Sequence, residues 1–262
     1  MTDPNRISGG FDSAGDVHIS NADERANEIV WKILQQDSRL IHLLPEVPLE
    51  DDFIKRLRNG TDNSASGQLK ETVGTSAVLF NPVNVARRIV QAIIEICPEL
   101  GFHLDRVADR ALDIGRGMDI SSDILDVVYQ GALLHDVGKL DSIVADIIKK
   151  PCRLPPDEKL MIRIHPVLGG SVAEKFGRHP SVVEIVSDHH KRPDHHGYPR
   201  LEDGEEIPVH VRIVTVADAV ESILGNRPGR RAGDKARVIA ELDKGTGTHF
   251  DPDVVASLKG IL

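Results

Sequence analysis

The segment VVYQGALLHDVGK, Val127 to Lys139, constrains this chain more than any other. Its apolar stretch reads as a buried helix that ends in adjacent His135 and Asp136. A carboxylate driven into an apolar setting is costly unless it is paired or ligates a cation. The fold must therefore bring partners to this point from elsewhere in the chain. A hydrogen-bonded His–Asp pair in an ordinary core is one solution, and a metal site is the other. Composition bears on that choice: the 262 residues include 12 histidines, ten of them at or after His103.

The remaining pattern is helical. Aromatics are only 3% of the chain, so Ala, Val, Ile and Leu must build the core, and helix-on-helix packing accepts that diet. An apolar stripe over about Ala22–Leu44 predicts a first helix, ended by Pro45, with a short helix over Leu49–Leu57. Asn59 to Gln68 is polar with two glycines and reads as a linker. Asn81-Pro82 and Pro98 start helices. Further helical patterns run from Ser121 to about His135 and over Asp157–Ile164, Val167–Phe176, Ser181–His190, Pro208–Leu224, Asp234–Leu242 and Pro252–Leu262. No alternating strand pattern of useful length stands out. The expected class is all-α: residues 1–20 disordered, a small N-terminal helical segment over 21–80, and a helical bundle over 81–262.

Several function classes drop out. No apolar run is long enough for a membrane helix, and the polar N-terminus lacks the core of a signal peptide. Cys97 and Cys152 cannot build a disulfide framework, which suits a reducing cytoplasm. The formal net charge of -9 disfavours DNA and anionic membranes as partners. A small phosphorylated substrate survives this filter, because bound metal reverses the local field.

Candidate partners for Asp136 lie on other predicted helices. Glu99 and His103 stand at i and i+4 and share a face. His165 opens HPVLGG, His189 and His190 close a helix, and Asp218 sits inside the apolar VRIVTVADAVESIL. Histidine and carboxylate ligands converging on a bundle core build multinuclear metal sites. Without thiolates, such a set suits iron, manganese, zinc or nickel.

The order HLDRV (His103 to Val107), HDVGK, HPVLG (His165 to Gly169), HH, GYP (Gly197 to Pro199), VAD (Val216 to Asp218) and GTHFDP (Gly247 to Pro252) resembles the HD-GYP family over about residues 98–260. That resemblance implies an HD-domain helical bundle and a metal-dependent phosphodiesterase. The substrate would be cyclic di-GMP, opened to pGpG by metal-activated hydroxide and cut on to GMP where a third metal is held. It implies metal ligands at His103, His135, Asp136, His165, His189, His190 and Asp218, with Asp136 as the bridge and Glu99 as the extra ligand of three-metal members. Two or three divalent ions are expected, iron or manganese first. Lys139 is expected to contact a phosphate and Tyr198 the substrate. Arg227, Arg230 and Arg231, in RPGRRAGDKAR, are candidates for the other phosphate or a guanine edge. A diguanylate cyclase or other signalling protein is a candidate partner through the GYP loop, and a homodimer is compatible with the sequence.

Departures from the family pattern are local. Lys191 replaces an acid after the HH pair, His195 replaces a glycine, Gly229 replaces a tyrosine, and Glu221 replaces a shorter acid. Lys191, His195 and Gly229 keep one alternative in view, a nucleotide-binding receptor or adaptor without turnover. A second, a general HD-type nucleotide phosphohydrolase, is opposed by GYP and the arginine segment.

Overall fold

Asn81 shows how this sequence starts its helices. Its side chain accepts from the backbone N–H groups of Val83 (2.9 Å) and Asn84 (3.4 Å). Pro82 follows at the first helical position, where its missing N–H is no loss. Asp141, Asp234 and Asp251 cap later helices in the same way.

A computed structural model of the chain describes residues 9–11, 17–19, 21–37, 40, 81–150, 152, 154–225 and 233–262. Its helices are α1 (Ala22–Gln36), α2 (Pro82–Ile96), α3 (Pro98–Gly117), α4 (Ser122–Leu134), α5 (Ser142–Ile148), α6 (Pro156–Ile162), α7 (His165–Lys175), α8 (Pro180–Asp188), α9 (Val209–Leu224), α10 (Lys235–Gly245) and α11 (Pro252–Ile261). A one-turn 3-10 helix, Val137–Leu140, lies between α4 and α5. The all-α expectation holds. Helix α3 packs against α2, α4, α9 and α11, while α8 packs against α4, α7 and α9. Small and branched side chains fill the centre: Leu104, Val107, Ala111, Leu133, Ile185, Val214 and Val216 are all fully buried. Among the described residues, no helix is long and apolar enough to cross a membrane.

Helix α1 joins this body through its apolar face. Ala26, Ile29 and Ile33 are fully buried, and α1 packs on α7, α2 and the 3-10 turn. Arg25 reaches that turn's end, donating from Nε to Asp141 Oδ2 (2.8 Å) and from a terminal nitrogen to Oδ1 (2.5 Å). Lys32 Nζ donates to the Leu140 carbonyl (3.1 Å).

Three expectations are corrected. The first helix ends at Gln36 rather than near Leu44. Asp37 leaves the helical conformation there, and its carboxylate accepts from Arg88 Nε (3.0 Å) on α2. The start of the chain, read as disordered, contains an antiparallel pair, β1 (Gly9–Phe11) with β2 (Val17–Ile19). Phe, Val and Ile favour such extended pairing. Helix α5 was not expected; Asp141 caps it through Ile143 N and Val144 N. The helix expected at Leu49–Leu57 and the linker at Asn59–Gln68 lie outside the described residues.

Candidate metal centre

The site is assembled at Gly138. A Cβ there would lie 2.0 Å from the His165 carbonyl oxygen and 2.8 Å from Gly169 N. Only glycine lets the turn after Asp136 rest on the start of α7. That contact sets Asp136 Oδ1 3.1 Å from His165 Nε2. Helix α8 delivers His189, whose Nε2 lies 3.7 Å from the same oxygen, and then His190. Thr215 on α9 fixes this corner by donating to the His189 carbonyl (2.8 Å).

The other carboxylate oxygen faces a second group. His135 Nε2 lies 3.4 Å and His103 Nε2 3.7 Å from Asp136 Oδ2. Asp218 Oδ1 lies 3.1 Å from His103 Nε2 and 3.8 Å from His135 Nε2. Thus Asp136, His165, His189 and His190 form one set, and His103, His135, Asp136 and Asp218 the other. Within each set the donor atoms lie within 4.8 Å of one another, and Asp136 belongs to both.

Backbone carbonyls aim three of the imidazoles. Nδ1 of His135, His165 and His189 donates to the carbonyls of Ala132 (2.8 Å), Ile162 (2.7 Å) and Val186 (2.9 Å), each three residues back. Nε2 is thereby turned inward with a lone pair, the orientation a metal ligand needs.

The donor set fits divalent cations. His103 Nε2, His135 Nε2 and Asp136 Oδ1 are buried atoms without a hydrogen-bond partner among the described residues. Buried polar atoms left this way are rare, and a ligated ion satisfies them. The electrostatics agree. Burial lowers His135, but Asp136 and Asp218 outweigh it and raise the group to about 10, so the pocket favours positive charge there. Burial raises Asp136 and Asp218, yet Lys139 and His135 hold the first, and His103 and His135 the second, well below the usual carboxylate range. Burial holds His165 neutral, at about 4, and lowers His189 and His190 as well. Two ionised carboxylates beside the neutral imidazoles of His165, His189 and His190 offer donors to a hard-to-borderline cation, which would take the place of the proton on His135.

A family model described as "HD domain" matches residues 88–254. The chain belongs to the HD domain family. Its resemblance to the HD-GYP proteins, read from the ordered motifs, is borne out together with it. A probable cyclic di-GMP phosphodiesterase from Vibrio cholerae serotype O1 is 32% identical over 174 residues, 60% of this chain and 39% of that protein. A 3'3'-cGAMP-specific phosphodiesterase 3 from the same organism is 31% identical over 165 residues, 63% of this chain and 36% of that protein. The chain therefore spans well under half the length of these relatives. An HDG"Y"P protein from Bdellovibrio bacteriovorus matches in structure with a TM-score of 0.53 at 15% identity, covering 96% of this chain and 76% of that one. That likeness concerns the fold.

Around the HD dyad, the remaining residues fall into place unevenly. Lys139 donates to Asp136 Oδ2, on the side of the second group. Glu99 is not brought in: it is exposed in the first turn of α3, its Oε2 3.9 Å from Cys97 Sγ, and it belongs to neither ligand set. Sharing a face with His103 did not suffice, because Glu99 lies a full turn further out. Arg227, Arg230, Arg231 and Gly229 lie outside the described residues.

The GYP loop folds onto the first group. A Cβ on Gly197 would meet the His190 carbonyl oxygen at 2.4 Å, so glycine is required for the approach. Tyr198 N donates to that carbonyl (3.1 Å), and the Tyr198 ring lies 4.5 Å from the His190 ring. The arginine at 163, two residues before His165, lies over the same ring at 5.1 Å. Sequence reading missed it; its place beside HPVLG was the available signal. His195 keeps the left-handed conformation that glycine favours, φ 59°, and its Nδ1 donates to the Leu201 carbonyl (2.8 Å). Lys191 pairs with Asp188 (3.0 Å) and Glu205, bracing the loop rather than entering the site. Glu221 is buried and accepts from Arg110 on α3 (3.2 Å), tying α9 to α3. These departures preserve the local scaffold.

Proposed function

We propose that this HD domain is a metal-dependent phosphodiesterase that opens a cyclic dinucleotide, cyclic di-GMP first, to its linear form. The observation that carries this reading is the sharing of Asp136: one carboxylate belongs to two groups of four side chains, each able to hold a cation. One cation would be held by Asp136, His165, His189 and His190, and another by Asp136, His103, His135 and Asp218. Iron or manganese suits these donors. Glu99 stands apart from both sets, which favours two cations over three. Bound cations supply Lewis acidity toward the phosphate oxygens and toward water.

The chain's own residues supply position and exclusion. The backbone-fixed imidazoles hold their ligand atoms rigidly, so little reorganises during reaction. Lys139 has a flexible arm and a partly exposed ammonium, which lets it exchange Asp136 for a substrate phosphate oxygen. Tyr198 covers the His190 ring and screens it from water. Arg227, Arg230 and Arg231 are proposed to hold the other phosphate. A receptor without turnover is disfavoured, because it has no use for seven candidate ligands gathered around a buried Asp136. The names of the two curated relatives divide between cyclic di-GMP and 3'3'-cGAMP, so both dinucleotides belong in the test.

Protein loaded with Mn(II) or Fe(II) would be incubated with each dinucleotide and the products separated by chromatography. Linear dinucleotide is expected from wild type and none from Asp136→Ala. Intact substrate with the loaded wild type, or equal turnover by Asp136→Ala, would sink the reading.

A further inference from the structure

Arg163 follows the last residue of α6 and is half-buried. Arg25, Arg88, Arg110, Arg192 and Arg212 each hold a carboxylate. Arg163 holds none among the described residues, although the chain carries 41 acids. Its guanidinium lies instead over the Tyr198 ring, 5.1 Å from the centroid. A cation on an aromatic face is held in place while its N–H fork, in the plane of the group, stays free to bind.

The ring that carries it borders the first ligand group. Tyr198 lies 4.5 Å from the His190 ring and 6.3 Å from the His165 ring. Lys139 meets Asp136 at Oδ2, whereas His165 and His189 face Oδ1. Two cations thus stand near the centre: Lys139 is paired with Asp136, while Arg163, on the ring beside His190, holds no carboxylate among the described residues. A cyclic dinucleotide carries two phosphates, each matching a planar guanidinium fork.

We propose that Arg163 is a substrate-binding residue: presented by Tyr198, it takes the oxygens of one substrate phosphate beside the Asp136–His165–His189–His190 group. The proposal rests on the phosphodiesterase reading, and it gives the tyrosine of the GYP loop a task, that of holding the arginine.

The test compares Arg163→Ala and Arg163→Lys with wild type, all loaded with Mn(II). KM and kcat for cyclic di-GMP, metal per chain and thermal midpoint would be measured together. A lost bidentate contact to charge should raise KM by roughly tenfold or more in Arg163→Ala, with metal content and midpoint unchanged. Arg163→Lys should recover part of the loss, because the charge returns without the fork. An unchanged KM in Arg163→Ala overturns the proposal, as does a loss that follows falling metal content or midpoint, since Arg163 would then only brace the loop. If wild type shows no turnover, dinucleotide binding is measured by calorimetry. Tight binding by wild type weakened about tenfold in Arg163→Ala sustains the role of Arg163 while the hydrolytic reading falls. Equal binding by the two, or none by wild type, overturns Arg163 as well.

Discussion

Asp136 shows how much one side chain is asked to do. It is buried, both of its oxygens face imidazoles, and Lys139 supplies the nearest ammonium. Its position depends on a residue with no side chain. In Gly138→Ala, the added methyl meets backbone atoms of α7 rather than a movable side-chain tip, so the turn must shift. Gly138→Ala is expected to lose metal binding and to destabilise the fold by about 1–3 kcal/mol, read by metal analysis and denaturant unfolding. Asp251 offers a pH test away from the centre. Burial raises its carboxyl, but the Val254 N–H and Arg212 pull it below 3.8. A carboxyl lowered by folding stabilises the fold above its unfolded value, and that stability is lost as pH falls through its folded value. Asp251→Asn should therefore be less stable than wild type at pH 7 by under about 1 kcal/mol. The gap should close in unfolding curves taken well below pH 3.8. At this scale the seven candidate histidine and aspartate ligands were legible through the ordered motifs that resemble the HD-GYP pattern, with the buried setting of His135 and Asp136 the clearest signal in the residues themselves. Glu99 was legible only as a helical neighbour of His103, and its exposure depends on how α3 is set against the other helices.

Helix α1 and the HD turn form a joint that no local pattern announces. Arg25 and Asp141 are 116 residues apart, and nothing near either one names its partner. In the structure their buried bidentate pair ties α1 to the segment that carries Asp136 and Lys139, and Asp141 also caps α5. Removing one partner leaves a buried charge alone, so Arg25→Ala is expected to destabilise by about 3–5 kcal/mol. Arg25→Ala with Asp141→Ala should be less destabilised than the sum of the single variants, a coupling that denaturant unfolding measures. Strict additivity would show that the pair carries no coupling. The starts of α2, α3 and α11 were readable because Asn-Pro, Pro and Asp-Pro mark them chemically. The end of α1 was not: Gln36 and Asp37 carry no stop signal, and the Asp37–Arg88 pair depends on α2. Helix α5 was missed because its apolar residues follow directly on the HD turn, and only the cap by Asp141 separates the two.

Across the whole molecule, charge is distributed against its average. The chain has a formal net charge of -9, yet Lys139 pairs with Asp136 at the centre and Arg163 lies over the Tyr198 ring, which borders His190. The bundle brings helices α3, α4, α7, α8 and α9 together so that two ligand sets meet at Asp136. The central claim is that this meeting holds two cations and that hydrolysis needs both. Manganese bound per chain should be measured during titration of metal-free protein, with cyclic di-GMP hydrolysis followed on the same samples. The account predicts a plateau at two ions per chain, turnover that rises with the second, and both lost in Asp136→Ala. Full turnover at one ion per chain, or an Asp136→Ala variant that still binds two and hydrolyses as wild type does, would contradict it.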